Sequence, residues 1–246
     1  LPELVAAAQR DNPGLNQALA RIAQSRAGVA AARALLFPEI KANAVGQRLG
    51  GERIATQNLG TASLDAGWEI DLFGANRRGR EAAQARYEGT QAQWHDARVS
   101  LAAEVAQEYV GLRSCEALVK NFTEDLASRL ESERLTHLKV NVGFEAPADG
   151  SLATASAADA ATRLNAQQAE CEISVKALVA LTGLAEPDLR GRLAGREGML
   201  PIPARFSILR LPAQTLMQRP DLAAAERELA AASAEIGVAE AARYPS

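Results

Sequence analysis

Aromatic residues make up only 4% of this 246-residue chain, and Met, Cys and His occur twice each. A core of ordinary globular type draws on large aromatic and aliphatic side chains, each burying a large area, so the scarcity argues against a compact enzyme. His95 and His137 stand 42 residues apart, roughly twelve turns on a helix, too far to share a metal ion. The two cysteines have no CxxC spacing, which excludes that class of metal site. No run of eighteen apolar residues is present, so no transmembrane helix is expected. Charge of one sign is missing too: 27 basic against 30 acidic residues give a net charge of −3 and no polybasic face for nucleic acid. Phosphate loops, Gly-x-Ser-x-Gly elbows and dinucleotide fingerprints are absent, so neither an enzyme nor a cofactor site is expected. The chain opens at Leu1-Pro2-Glu3 without Met or signal peptide, and a processed or trimmed start is expected.

What the sequence has is alanine, 53 residues of it. Alanine is the best helix former and adds almost no bulk, so the composition calls for long helices that approach one another closely. It also contains a repeat. Pro13 to Pro38 aligns with Pro220 to Pro245 at a constant offset of 207 residues. In that register Leu15 meets Leu222, Ala27 meets Ala234, Ile22 meets Leu229, Val29 meets Ile236 and Phe37 meets Tyr244. A unit of about 207 residues is thus complete once, and the chain is expected to be a fragment that stops within the opening helix of a second copy.

Each copy opens with a helix that Pro13 or Pro220 starts and Pro38 or Pro245 stops. After Pro38 the period changes from 3.6 to 2. Ile40, Ala42 and Ala44 alternate with polar residues. Further on, Leu64, Ala66, Trp68, Ile70 and Leu72 share one face, against Ser63, Asp65, Gly67, Glu69 and Asp71 on the other. Runs of about ten residues with one apolar and one polar face have the pattern of tilted barrel strands, and equally of a soluble hairpin with one wet face. Residues 46–61, with Gly50-Gly51, Arg48, Glu52 and Arg53, read as an exposed hairpin loop. Glu69 and Asp71 could form a catalytic carboxylate pair, but their face continues through Ser63 and Asp65 and fits a wet lumen better.

Beyond Phe73-Gly74 a helix is expected, capped by Asn76 and free of Pro to about Asn141. Its length would be on the order of 100 Å. Arg77, Arg78 and Arg80 mark its exposed start, a place suited to a membrane interface. Leu112, Cys115, Val119, Phe122, Leu126 and Leu130 give it a coiled-coil-like seam. The chain turns within 142–150, and a second helix runs from about Ser151 to Leu181, with Leu164, Cys171, Val175 and Leu178 on its seam and Gly183 as its cap. Pro187, Pro201, Pro203 and Pro212 make the following stretch an irregular connector. Cys115 and Cys171 are symmetric about Gly143, so antiparallel helices bring them face to face. They are either a disulfide, favoured by that symmetry and implying an oxidising compartment, or two thiols buried in the seam.

The Leu36-Phe37-Pro38 ending, the alternating strands, Trp68-Glu69-Ile70-Asp71-Leu72-Phe73-Gly74, and Gln218-Arg219-Pro220-Asp221-Leu222 with Ala225-Glu226 and Ile236-Gly237-Val238-Ala239 resemble the outer-membrane factor family. These are TolC-like exit ducts, and the Arg-Pro-Asp signature is most similar to the NodT-type lipoprotein branch. The resemblance spans the whole chain. It implies a mainly α fold with a β-hairpin: long antiparallel helices forming part of a trimeric α-barrel, plus two transmembrane strands of a trimeric 12-stranded barrel. The implied organisation is first helices at 1–38, barrel hairpin at 39–73, long helical hairpin at 74–183, equatorial connector at 184–212 and the truncated helices of a second repeat at 213–246. The lipid face would be Leu64, Ala66, Trp68, Ile70 and Leu72; the lumen face Ser63, Asp65, Glu69 and Asp71. Val142, Gly143 and Phe144 match the family's adaptor-docking tip, with Phe144 where Leu is also common. The implied partners are two further copies of the chain, a periplasmic adaptor, an inner-membrane pump and outer-membrane lipid, with no nucleic acid. The acidic constriction residues of the family belong to the second repeat, and the acylated Cys of the lipoprotein branch would lie upstream of Leu1. The function implied is a passive outer-membrane duct of a tripartite efflux system of a Gram-negative bacterium; the alternatives are a periplasmic coiled-coil scaffold or a type I secretion duct.

Overall fold

A computed structural model describes residues 1–51, 54–202 and 218–245. In chain order the elements are α1 (Pro2–Asp11), α2 (Pro13–Ala34), β1 (Glu39–Gly51), β2 (Ile54–Gly67), α3 (Ala75–Asn141), α4 (Pro147–Thr182), α5 (Glu186–Leu193) and α6 (Pro220–Ala241). Helices α2 and α6 carry the repeat with matching bounds: both have 22 residues, and both start and stop at positions 207 residues apart. The chain divides into two compact units, Leu1–Asn16 with Ala97–Arg210 and Gln17–Asp96 with Leu211–Ser246.

The first unit holds a helical core. Leu4 and Ala8 of α1, Leu101, Val105, Tyr109 and Leu112 of α3, Val175 and Leu178 of α4, and Leu189 and Leu193 of α5 are buried together. The α3 residues recur every three or four positions, one stripe of a helix. Asn12 ties α1 and α2 to the end of α4. Its amide donates to the Leu181 carbonyl at 3.1 Å, and its side-chain oxygen accepts from Gly14 N–H at 2.9 Å. Gly183 closes α4 at φ +68°, with its N–H on the Val179 carbonyl and the Asp11 Cβ within 3.3 Å of where a side chain would begin. The stretch expected to be an irregular connector contains a helix instead. Pro187 occupies the first turn of α5, where a proline lacks nothing it needs. Pro203 and Pro212 lie outside the described residues.

Arg113 is the buried charge of this unit, 1% exposed. Its guanidinium donates to the Leu193 carbonyl at 2.6 Å and to Glu116 at 2.8 Å, and sits 5.0 Å from the Tyr109 ring centroid. Glu116 in turn accepts the Gly198 N–H at 2.7 Å. One ion pair therefore fastens the segment after α5 to α3.

Helices α3 and α4 continue past the core as a bare hairpin. Its α4 side is lined by small residues, with Gly150, Ala157 and Ala160 buried. At Gly150 a Cβ would come within 3.2 Å of the His137 ring, so glycine permits the close approach. Leu130 does not join this seam: it is half exposed, and Arg129 reaches across to the Ser156 hydroxyl at 2.6 Å. Helix α4 also begins at Pro147, earlier than the expected Ser151. Cys115 and Cys171 are joined by a disulfide with a Cα–Cα distance of 5.6 Å, and it sits where the core ends and the bare hairpin begins.

In the second unit β1 and β2 pair antiparallel, Glu39 opposite Gly67 through Leu49 opposite Gln57. The expected loop at 46–61 is thus mostly paired strand. Ladder hydrogen bonds are made by backbone whatever the side chains, so polarity and glycine content mistook strand for loop. Glu52 and Arg53 lie outside the described residues. Strand β2 ends at Gly67, and Leu72 N–H turns back to the Ile70 carbonyl at 2.8 Å. Trp68, Glu69, Ile70, Asp71 and Leu72 therefore do not continue the alternation. Asp71, expected in a lumen face, accepts from the N–H groups of Asn76 at 3.2 Å and Arg77 at 2.9 Å, so it caps α3 in the place expected for Asn76. Gly79, Gly89 and Gly111 leave α3 unbroken.

Two predictions follow from these anchors. Reducing the disulfide removes the closure of a 56-residue loop, worth about 4 kcal/mol by chain entropy. Amide exchange in the full-length protein should then accelerate between Cys115 and Cys171 and stay slow in α1; unchanged protection in the hairpin would contradict this. At Asp71, burial pushes the carboxyl up, but the N–H groups of Arg77 and Asn76 and the Arg77 guanidinium outweigh it and hold it below the usual carboxylate range. A depressed folded value contributes stability above the unfolded value near 3.9 and loses it as pH falls through the folded one. Asp71→Ala should cost about 1 kcal/mol at pH 7 and flatten the acid limb of the denaturation curve below pH 4; an unchanged limb would sink the assignment.

Candidate functional site: hairpin faces and helical tip

The strand register sorts the hairpin into two faces, because residues directly opposite share a side. One face carries Ile40, Ala42 and Ala44 opposite Ala66, Leu64 and Ala62. The other carries Lys41, Asn43 and Val45 opposite Asp65, Ser63 and Thr61. The apolar face is open, with Leu64 at 75% exposure. On the polar face the Asp65 carboxylate accepts from Ser63 Oγ at 3.2 Å and Asn43 Nδ2 at 3.4 Å, and Lys41 pairs with Glu39 at 2.9 Å. Beyond Gly46 and Gly60 the side that began apolar turns polar, with Arg48 opposite Asn58, while the other side carries Leu59 opposite Gln47 and Leu49 opposite Gln57. An apolar band of limited height under a polar rim is what a strand crossing a hydrocarbon layer presents. Leu64, Ala66, Ser63 and Asp65 are therefore sorted by side as the alternation expects, whereas Trp68, Ile70, Leu72, Glu69 and Asp71 belong to the bend below the strands.

The turn between α3 and α4 is built by backbone. Gly143 has φ +81°, a conformation that L side chains rarely adopt. The Phe144 N–H donates to the Lys139 carbonyl at 2.9 Å, and the Gly143 N–H donates to Val140 at 3.0 Å. These are the two bonds of a Schellman ending. Lys139 Nζ pairs with Glu145 at 2.8 Å, and Asp149 accepts the Ala146 N–H at 3.3 Å. Val142 and Phe144 are left outside, Phe144 with 83% of its surface exposed. Among the described residues nothing covers the Phe144 ring.

Neither histidine joins a metal cluster, and no group of three potential ligands forms one among the described residues. His95 packs edge-on against Trp94, with ring centroids 4.9 Å apart. His137 faces Thr154, whose hydroxyl donates to Glu133 at 2.7 Å. Sequence reasoning missed the Arg113–Glu116 fastening altogether: an Arg and a Glu three residues apart on a helix look like any surface pair, and only the burial of Arg113 distinguishes this one.

Comparison with known proteins now has geometry to rest on. Residues 4–184 match the outer membrane efflux protein family. Nodulation protein T of Rhizobium leguminosarum bv. viciae is 30% identical over 247 residues, covering 100% of this chain and 51% of the relative. The toluene efflux pump outer membrane protein TtgC of Pseudomonas putida is 31% identical over 257 residues, covering 100% of this chain and 52% of the relative. Among solved structures, the outer-membrane channel OprN superposes with a TM-score of 0.79 at 30% identity, over 98% of this chain and 55% of that one. The chain spans about half the length of the curated relatives it matches. The family consists of efflux proteins and not enzymes, and its place is the outer membrane and periplasm of Gram-negative bacteria. With the family's match covering most of its length, the chain belongs to the outer membrane efflux protein family.

Proposed function

We propose that this chain forms part of the wall of a passive outer-membrane efflux duct. One observation carries the reading: α2 and α6 are each packed on one stripe and open on the other, in reciprocal fashion. On α6 the stripe Ala224, Arg227, Ala231, Ala234, Gly237 and Ala241 is covered or partly covered. It lies on the first turns of α3, where Arg227 pairs with Glu88 at 3.2 Å and Arg86 pairs with Glu235. A Cβ on Gly89 would meet the Arg227 Cβ at 3.3 Å, and Arg78 crosses Gly237 at 3.0 Å from where its Cβ would be. The equivalent residues of α2, 207 positions earlier, are Gln17, Ala20, Gln24, Ala27, Ala30 and Ala34, and all are exposed.

The converse holds as well. On α2 the stripe Ala18, Ile22, Ser25, Val29, Ala32 and Leu36 is half-buried, while its α6 equivalents Ala225, Leu229, Ala232, Ile236, Ala239 and Arg243 are exposed. If the two copies of the repeat pack alike, each of these helices takes an α3-type helix on both sides. Alternation of that kind has no end within one chain and closes only as a ring. In this reading the ring is completed by the rest of the protein and by two further copies in a homotrimer. The hairpin supplies two strands of a shared 12-stranded barrel whose apolar band meets outer-membrane lipid. Val142, Gly143 and Phe144 dock a periplasmic adaptor, and an inner-membrane pump of the RND type supplies the energy. The substrates are drugs or other small molecules, as the toluene pump named among the relatives suggests. A periplasmic scaffold without a barrel leaves the apolar band of the hairpin unexplained.

The wall is tested by overpacking. Ala27→Trp, on the open stripe, should reduce trimer yield of the full-length protein as severely as Ala234→Trp on the covered one, read by gel filtration in detergent. Full trimer yield from Ala27→Trp would reject the ring. The tip is tested separately: Phe144→Asp should abolish cross-linking to the adaptor with trimer yield intact, and normal cross-linking would remove Phe144 from the docking surface.

A further inference from the structure

Below the strands the second unit carries an apolar groove that neither the barrel band nor the helix stripes account for. It measures about 1010 Å³ and runs between the 35–39 and 67–72 segments, with Leu35, Phe37, Trp68, Ile70 and Leu72 as its apolar walls and Glu39 and Glu69 also on its lining. These five side chains are each 58% to 75% exposed. The groove is held open by backbone anchoring. Trp68 Nε1 donates to the Leu36 carbonyl at 3.4 Å, and Asn76 Nδ2 donates to the Leu35 carbonyl at 3.5 Å. It continues the apolar face of the strands directly, since Ile40 and Ala66 lie just past its upper edge.

One helical turn deeper lies a second cavity of about 470 Å³, between α2 and α3, lined by Arg33, Arg80, Glu81, Glu88 and Arg227. Its carboxylates are already taken: Glu81 holds Arg78 at 2.6 Å, and Glu88 holds Arg227 at 3.2 Å. Arg33 and Arg80 are exposed and have no anion among the described residues. An aromatic next to arginine recurs at three element ends: Phe37 after Arg33, Phe73 before Arg77, Arg78 and Arg80, and Tyr244 after Arg243. Apolar strand face, then aromatic residues, then arginine is the order in which a bilayer presents hydrocarbon, interface and phosphate.

We infer that this corner binds a phospholipid of the periplasmic leaflet, one acyl chain in the Leu35–Phe37–Trp68–Ile70–Leu72 groove and the phosphodiester on Arg33 and Arg80. Two planar guanidiniums facing one cavity suit a phosphate oxygen set better than a single carboxylate. The bound lipid fixes the depth at which the barrel sits, because it joins the start of β1 and the end of β2 to the last turn of α2 and the first turns of α3 through one molecule. The inference rests on the barrel reading above and adds to it a ligand and a site.

The test uses full-length protein in detergent, examined by native mass spectrometry. Dioleoylphosphatidylglycerol is titrated against dioleoylglycerol, which has the same chains and no phosphate, and inorganic phosphate is added as competitor. The wild type should retain the phospholipid over dioleoylglycerol by roughly tenfold, the scale of one charge-assisted contact. Arg33→Gln with Arg80→Gln should erase that preference, Arg33→Lys with Arg80→Lys should keep most of it, and millimolar phosphate should not displace the lipid. Equal retention of the two lipids by the wild type, undiminished preference in the Gln pair, or full displacement by phosphate would each overturn the inference. So would loss of the trimer mass in the Gln pair alone, since the arginines would then hold protein. A wild-type protein without trimer mass would fault the duct reading instead.

Discussion

How closely two helices approach sets everything else in this chain. An Ala or Gly at the contact lets backbones come near enough for neighbouring residues to hydrogen-bond and pair across the gap, and a large side chain would hold them apart. Gly89 under Arg227, Gly237 under Arg78 and Gly150 under His137 are three such places, each with a would-be Cβ at 3.0 to 3.3 Å from its neighbour. The fifth of the chain that is alanine makes long stretches of helix fit for this. The same choice of small residues denies those stretches a core. A helix with small residues on two faces gains little from burying either one, and it gains most by being flanked on both. In the proposed ring, the reciprocal open stripes on α2 and α6 are the faces that further helices would flank.

Stability is distributed accordingly. The described residues have one substantial apolar core, between α1, α3, α4 and α5. It is reinforced by buried Arg113 and its part-buried partner Glu116, whose donors and acceptors reach the backbone at Leu193 and Gly198. A buried ion pair contributes little to stability on balance, but breaking it by removing one partner is costly, so the pair specifies where the segment after α5 lies more than it strengthens the fold. Elsewhere the chain relies on caps and covalent closure: Asp71 at the start of α3, Asn12 between α1 and α2, Gly183 at the end of α4, and the disulfide.

Much of this was legible in the sequence, for physical reasons that differ by element. The repeat was readable because proline marks helix bounds from its own ring geometry, with no help from tertiary structure. The disulfide was readable because antiparallel helices pair residues equidistant from their turn. The turn after α3 was readable because glycine adopts at no cost the φ that Gly143 takes there. Strand ends were not. Trp68 to Leu72 keep the alternation of a strand while the backbone has already turned, since side-chain period cannot register a bend that hydrogen bonds impose. Asp71 was misplaced for the same reason, its acidity reading as lumen when its use is local. Leu130 slipped because a seam counted at fixed spacing drifts against a helix of 3.6 residues per turn, so a long arithmetic run eventually points outward. Helix α5 hid behind its proline, which reads as a breaker until its first-turn position is known.

The disulfide lies at the boundary between the buried core and the coreless helical hairpin. Under mechanical load that position matters more than the bond's contribution to equilibrium stability. A partner gripping the tip at Phe144 and pulling on one helix would shear α3 against α4, and a seam of alanines offers little friction to such sliding. The Cys115–Cys171 bond would carry such a force covalently into the core, and under the proposed docking the hairpin would act as a lever whose fulcrum does not slip.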